Sequence, residues 1–214
     1  MDISIHELQN CCINTNDLFQ DIEKTLIHNK KENVLNHSKS VFEKCKELSI
    51  KFDNNIHKIK VASYLHDISC IIPNENKIEY SKLFNIEILE EEQFFPLLLH
   101  QKLSKEIAQR IYKIDDSEIL NSISCHTTLK ASPTKMDMIL FISDKISWDR
   151  ENVPPYLEYV EKSLTNSLEE GIYTYLNYIV ENKEKMKIKK LHPWFLCAYE
   201  YFKKFKSEFK NEVQ

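Results

Sequence analysis

The chain has 214 residues, of which 42% are hydrophobic and 29% are charged, and its formal net charge is −4. These values are typical of a soluble globular protein; there is no basic excess that would indicate nucleic-acid binding and no apolar run long enough to span a membrane. The N-terminus lacks a signal-peptide pattern, so we expect a cytoplasmic protein without a nucleic-acid or membrane partner. The single glycine, Gly171, argues against the glycine-rich loops of P-loop and dinucleotide-binding proteins.

Helical periodicity dominates the first third of the chain. Within residues 1–33, Leu18, Ile22 and Leu26 share one helix face, which predicts a helix that packs on the core. The next amphipathic stripe includes His37 and is made of Val34, Val41, Cys45, Leu48 and Phe52. A third stripe runs through Ile56, Ile59 and Ala62, and its next helical step falls on His66, beside Asp67.

The central segments continue the helical pattern after PNENK (73–77), whose composition predicts a loop. The following stripe has His100 at its edge and consists of Phe94, Leu99, Leu103, Ile107 and Ile111. Asp116 and Ser117 predict a helix start, and the apolar positions after them lead to His126. After a break at ASPT (131–134), steps of four connect Met136, Leu140, Asp144 and Trp148.

Five segments therefore each bring a polar residue to an apolar stripe. The residues are His37, His66 with Asp67, His100, His126 and Asp144. A single histidine on such a face is more often a satisfied core residue than a metal ligand, but four imidazoles and two carboxylates form a ligand set suited to first-row transition metals. The remaining histidines do not share the pattern, and we expect His57 to be exposed and His192 to serve packing or a helix start.

The order of these residues resembles the HD-domain metal-dependent phosphohydrolases, and in detail the YqeK-type group, whose members hydrolyse diadenosine tetraphosphate symmetrically. The matching pieces span roughly residues 34–150. They are NHSKSV around His37, ASYLHDIS around His66 and Asp67, FPLLLH ending at His100, EILNSISCHTT at 118–128, and ILFISDKISWDR at 139–150.

Several positions depart from the usual motifs of this group. Cys70 stands where HDxxK has lysine, Leu129 replaces the glycine of HTTG, and Val34 occupies a position that is commonly basic. Ser147 and Trp148 stand where an acidic residue and a proline are common. The sequence thus resembles a divergent member, in which the metal ligands are complete and the groups expected around substrate phosphates are not.

The resemblance implies two metal ions, one held by His37, His66, Asp67 and Asp144 and the other by Asp67, His100 and His126. Asp67 would bridge them, and a hydroxide shared by the metals would attack phosphorus, which makes Asp67 and His66 the catalytic pair. The resemblance favours iron, with manganese as the alternative. We expect Arg150 and Lys145 to contact phosphate and Thr127, Thr128 and Ser69 to be weaker substrate contacts; each could instead have a structural role.

These observations predict an all-α fold: an HD-domain helical bundle at 34–150 with helical extensions at 1–33 and 151–214. The preferred function is cleavage of a phosphoanhydride in a nucleotide, with diadenosine tetraphosphate giving ADP. A nucleoside monophosphate or alarmone phosphohydrolase, and a nucleotide-sensing HD module with little turnover, are the alternatives; a purely structural role for the histidines is the third reading. The partner is a small-molecule nucleotide, and a homodimer is left open.

Overall fold

The computed structural model describes residues 4–147 and 153–212, and its regular structure in those ranges is entirely helical. This confirms the predicted all-α class. Three 3-10 turns, at Ile68–Ile71, Asn74–Asn76 and Pro96–Leu99, join some of the α-helices. The α-helices are α1 (Ile5–Asn10), α2 (Leu18–His28), α3 (Glu32–Phe52), α4 (Ile56–Leu65), α5 (Lys77–Leu83), α6 (Glu90–Phe94), α7 (His100–Arg110), α8 (Ser117–Cys125), α9 (Lys135–Ile146), α10 (Leu157–Leu164), α11 (Leu168–Asn182) and α12 (Pro193–Glu212).

Five helices surround the central core. Helix α3 packs against α4 and α9, α8 packs against α7 and α9, and α4 also contacts α8. Helix α2 covers α3 and α4, while α10 and α11 form a pair that packs on α9, with α12 against α11. No helix in the described ranges has both the length and the apolar character that a bilayer crossing demands.

Local chemistry explains several helix boundaries. Asp116 accepts hydrogen bonds from the backbone N–H groups of Glu118 and Ile119, which confirms the predicted start of α8. Thr134 and Asp137 form a capping box at the start of α9, after the predicted break. At the other end of α3, Asp53 has a φ of 52° and ends the helix in the left-handed conformation.

Two members of the predicted apolar stripes were placed wrongly. Ile56 is 40% exposed because it is the first residue of α4, outside the part of that helix that the neighbouring helices cover. Phe94 is 78% exposed because it ends α6, and Pro96 starts a separate 3-10 turn before α7. The predicted loop at 73–77 contains a 3-10 turn, and its last residue, Lys77, already begins α5.

Candidate metal centre

The six polar residues singled out from the sequence lie together at the ends and inner faces of the central helices. His37 lies within α3 and Asp144 within α9. His66 and His126 immediately follow the last residues of α4 and α8, and His100 is the first residue of α7. Asp67 follows His66, and its backbone is no longer helical, with φ −110° and ψ 14°.

Three of the imidazoles are each oriented by a hydrogen bond from Nδ1 to a backbone carbonyl. Nδ1 lies 2.7 Å from the Ser63 carbonyl in His66, 2.6 Å from that of Leu97 in His100, and 2.8 Å from that of Ile123 in His126. In each case the carbonyl belongs to the residue three positions earlier in the chain. Because a carbonyl only accepts, Nδ1 carries the proton and each Nε2 presents a lone pair.

The Nε2 lone pairs converge without protons between them. His66 Nε2 is buried and has no hydrogen-bond partner. The Nε2 atoms of His100 and His126 lie 3.1 Å apart, although the tautomers just described make both of them acceptors. A buried acceptor without a donor is costly, and two facing lone pairs repel. Cations beside these nitrogens would satisfy His66 Nε2 and relieve the repulsion between His100 and His126, so the donor set fits metal ions.

Asp67 divides its two carboxylate oxygens between the histidines. Oδ2 lies 3.5 Å from His66 Nε2, while Oδ1 lies 3.4 Å from both His100 Nε2 and His126 Nε2. Two groups of ligand atoms, each within 4.8 Å of one another, could therefore hold a metal ion and share Asp67: His37, His66 and Asp67, and Asp67, His100 and His126.

Asp144 completes the cluster on the His37 side. Its Oδ1 lies 3.0 Å from His37 Nε2 and 3.9 Å from His66 Nε2. Its other oxygen accepts a 2.6 Å bond from Lys145 Nζ. Lys145 thus fixes the orientation of the carboxylate and leaves Oδ1 directed at the histidines.

The electrostatics favour the charge states that metal binding requires. Burial opposes ionisation of Asp67, but His66, His126 and His100 outweigh it and hold the pKa of Asp67 far below its usual range. For Asp144 burial is again outweighed, chiefly by Lys145 and His37, and its pKa is well below the ordinary value. Burial lowers the pKa of His66, and lowers that of His100 to about 4, so both imidazoles are neutral near pH 7.

The residues expected to contact substrate differ in how close they lie to the metal cluster and in how deeply they are buried. Thr127 is at the cluster, with Oγ1 2.8 Å from His100 Nε2. Lys145 is paired with Asp144. Thr128 is buried and bonded to the side chain of Gln101. Ser69 is buried, and its hydroxyl donates to the His100 carbonyl at 2.8 Å. Arg150 and Trp148 lie outside the described residues.

Polar residues beside the cluster that the sequence reasoning passed over are Gln101, Ser104 and Lys77. Gln101 Oε1 accepts from the backbone N–H groups of Thr127 and Thr128, which joins α7 to the end of α8. Ser104 Oγ donates to Ser69 Oγ and accepts from the Ser69 N–H. Gln101 and Ser104 lie on the buried face of α7. The signal that identified His100, a polar residue beside an apolar stripe, could therefore have identified them too. Lys77 had no such signal because it ends a segment that reads as a loop.

A family model adds independent evidence, since the HD domain model matches residues 34–149. The chain belongs to the HD domain family. A protein from the pepC 5′ region of Lactococcus lactis subsp. cremoris, itself uncharacterised, is 43% identical over 138 residues, which cover 64% of this chain and 69% of that protein. The symmetrical bis(5′-nucleosyl)-tetraphosphatase of Staphylococcus aureus is 30% identical over 112 residues, which cover 52% of this chain and 57% of that enzyme.

A solved structure extends the similarity beyond the matched domain. It is a crystal structure from Clostridium acetobutylicum, described as a predicted HD superfamily hydrolase involved in NAD metabolism. The match has a TM-score of 0.77 and 25% sequence identity, and it covers 89% of this chain and 97% of that one. With these relatives, the resemblance to the HD phosphohydrolases is confirmed, and the chain is a metal-dependent HD-type hydrolase.

Proposed function

We propose that this HD protein is a dinuclear phosphohydrolase that cleaves a dinucleoside polyphosphate, with diadenosine tetraphosphate giving two ADP. The observation that carries the proposal is the convergence of three proton-free Nε2 atoms on the two oxygens of Asp67. Histidines that only stabilise a core form hydrogen bonds with both ring nitrogens. Here the Nδ1 atoms bind carbonyls, while His66 Nε2 has no hydrogen-bond partner.

Two ions would be held by the side chains of this cluster. His37, His66, Asp67 and Asp144 would bind one, and Asp67, His100 and His126 the other, with one Asp67 oxygen on each side. When bound, such a pair lowers the pKa of a water and polarises phosphate oxygens, which is the chemistry that phosphoanhydride hydrolysis needs. Nitrogen and carboxylate ligands suit iron and manganese alike, and we propose iron on the strength of the family resemblance.

The protein's own residues orient and charge this site. The backbone carbonyls of Ser63, Leu97 and Ile123 hold the imidazoles in the tautomer that leaves Nε2 available. Lys145 holds Asp144 ionised from the side opposite the cluster. The Thr127 hydroxyl donates to His100 Nε2. If that nitrogen held a metal, the hydroxyl would be available to donate to a substrate phosphate.

The Staphylococcus relative supports the proposed substrate class. That enzyme is a symmetrical bis(5′-nucleosyl)-tetraphosphatase, and its match covers 52% of this chain. We keep Arg150 as a proposed phosphate contact and place the protein in the cytoplasm, where nucleotides of this class occur. A homodimer stays a prediction.

The test is metal analysis of protein purified without chelator, combined with a nucleotide panel. The panel contains diadenosine tetraphosphate, a nucleoside monophosphate, guanosine tetraphosphate and NAD, with products separated by chromatography. We expect about two transition-metal ions per chain and ADP as the sole product of the first compound. Turnover of a different panel member would replace the substrate, bound metal without any turnover would favour a nucleotide sensor, and absence of metal would refute the centre.

Two variants connect the activity to the cluster. Asp67→Ala removes the residue shared by both ligand groups, so we expect loss of hydrolysis together with most of the bound metal. His57→Ala is the matched control, since this exposed histidine lies on α4, the helix that His66 follows. Full activity of Asp67→Ala after removal of metal would exclude the mechanism.

A further inference from the structure

Lys77 is a fully buried cation without an anionic partner in the described part of the chain. Its side chain is the first of α5 and is 1% exposed. Its Nζ donates to the carbonyl of Ser69 at 3.1 Å, and no carboxylate among the described residues lies within ion-pair distance of it. Lysine is almost never fully buried unless it is paired, so this position calls for an explanation.

The carbonyl that Lys77 binds belongs to the turn that follows the metal cluster. Ser69 lies in the 3-10 turn after Asp67, and its carbonyl also accepts from the Ile72 N–H. The Ser69 hydroxyl donates to the carbonyl of His100, a residue of the second ligand group. Lys77 is therefore one hydrogen bond from the segment that joins Asp67 to His100.

The charge of Lys77 acts on the cluster itself. Burial lowers its pKa to about 8, Asp67 acts in the opposite direction, and the nearby Lys31 lowers it further. In turn, the charge of Lys77 contributes to the low pKa of His100. The half-buried Lys31 and Lys77 thus both lie close to Cys70 beside the cluster, and Asp67 offsets only part of the unfavourable effect on Lys77, whose pKa stays below its usual value.

A polyphosphate is the ligand that would compensate this charge. It carries several negative charges, and its phosphates must lie at the cluster for hydrolysis. We propose that Lys77 is a positioning residue of the reaction: its buried ammonium, bonded to the Ser69 carbonyl, supplies fixed positive charge that favours binding of the phosphate chain. This inference rests on the proposed function for the identity of the substrate, and on the burial and contacts of Lys77 for the charge.

The proposal separates Lys77 from a purely structural lysine because it predicts opposite effects on stability and on binding. Lys77→Met keeps the length of the side chain and removes the charge. A buried thioether needs no partner, so we expect a melting temperature equal to or above that of the unaltered protein, with unchanged metal content. Inorganic pyrophosphate should nevertheless bind at least about tenfold more weakly to the metal-loaded variant, and KM for diadenosine tetraphosphate should rise more than kcat falls.

The experiment measures pyrophosphate affinity by calorimetry in three variants of the metal-loaded protein. Lys82→Met, which removes an exposed lysine from the same helix, is the control and should bind as the unaltered protein does. The double variant Lys77→Met/Cys70→Lys places a new lysine at residue 70, which lies close to Lys77. It returns the positive charge and should recover most of the pyrophosphate affinity. Since pyrophosphate binding is scored without turnover, an inactive protein would refute the proposed function and leave this test intact.

Three outcomes would overturn the role of Lys77. Unchanged pyrophosphate affinity in Lys77→Met would show that its charge does not reach the phosphates. A lower melting temperature or loss of metal would show that it stabilises the fold. Failure of Cys70→Lys to restore binding, with metal content intact, would show that the position and not the charge matters.

Discussion

Among single residues, Leu129 combines backbone strain with complete burial beside the metal cluster. Its φ of 58° lies in the left-handed region, and its side chain is 0% exposed. Its N–H donates to the Cys125 carbonyl at 2.7 Å and closes the end of α8, three residues after His126. A glycine here would remove a strain of about 1–2 kcal/mol, but the lost side chain would cost more.

We therefore predict that Leu129→Gly lowers the free energy of unfolding by about 1–3 kcal/mol, measured by urea denaturation. Leu129→Ala is the informative companion, because it loses most of the side chain and keeps the strained φ. It should be less stable than Leu129→Gly by about 1 kcal/mol. A Leu129→Gly protein more stable than the unaltered one would mean that strain outweighs burial at this position.

The sequence allowed the polar members of the cluster to be predicted for a simple physical reason. His66, His100 and Asp144 each interrupt an apolar stripe, and a buried polar group needs a partner. Their mutual distances and tautomers depend on backbone carbonyls and on helix ends, which periodicity does not specify. Lys77 was missed because its only anchor is the Ser69 carbonyl, a partner that has no sequence signature.

At the scale of elements, the close approach of α10 and α11 depends on the one glycine of the chain. Gly171 lies inside α11, where glycine is intrinsically unfavourable by about 1 kcal/mol relative to alanine. A Cβ at this position would overlap Leu164 of α10, with 2.6 Å to Leu164 Cγ. Leu164 is 5% exposed and has little room to move, so the glycine is retained for packing.

We predict that Gly171→Ala lowers the melting temperature despite its better helix propensity. Overpacking costs about 1–3 kcal/mol, which exceeds the gain of about 1 kcal/mol. When Leu164 is first replaced by alanine, the side chain that a Cβ at residue 171 would overlap is gone. In the Leu164→Ala background, Gly171→Ala should therefore be neutral or stabilising. Additive effects of the two substitutions would show that they do not contact each other.

Helix starts were easier to predict than helix divisions. Asp116 and Thr134 are capping residues with local partners, so their signal is contained in a few neighbouring positions. The division between α6 and α7 was missed because Phe94 has the right spacing for the stripe of α7. Pro96 and the 3-10 turn that it begins interrupt that register, and Phe94 is left in solvent.

At the scale of the whole molecule, a buried ionic cluster joins the C-terminal part of the chain to the segment before His100. Glu92 of α6 accepts from Lys102 of α7 at 2.8 Å, and its other oxygen lies 3.4 Å from His192 Nε2. The Trp194 N–H donates to His192 Nδ1, so the proton of this imidazole is on Nε2 and is donated to Glu92. His192 lies directly before α12 and accepts from the N–H of Trp194, so it serves the start of that helix, one of its two predicted roles. Its other partner, Glu92, is 100 residues away, which no local pattern could indicate.

We predict that Glu92→Gln destabilises the protein by about 3 kcal/mol at pH 7, because Lys102 then keeps a buried charge without its carboxylate. Burial alone would raise the pKa of Glu92, but His192, the Leu89 N–H and Lys102 outweigh it and lower that pKa below the ordinary value. A depressed carboxyl pKa contributes stability above the unfolded-state pKa, and that stability is lost as the pH falls through the folded-state value.

The difference in unfolding free energy between the two proteins should therefore be constant near neutral pH and begin to shrink as the pH falls below about 4.3, the ordinary pKa of a glutamate. It should vanish only below the lower folded-state pKa, where Glu92 is protonated in the folded protein as well. Glu90→Gln is the matched control: its partner Lys190 is half-exposed, so the loss should stay below about 1 kcal/mol. A Glu92→Gln effect that is independent of pH would mean that shape, not charge, holds the C-terminal segment against α6 and α7.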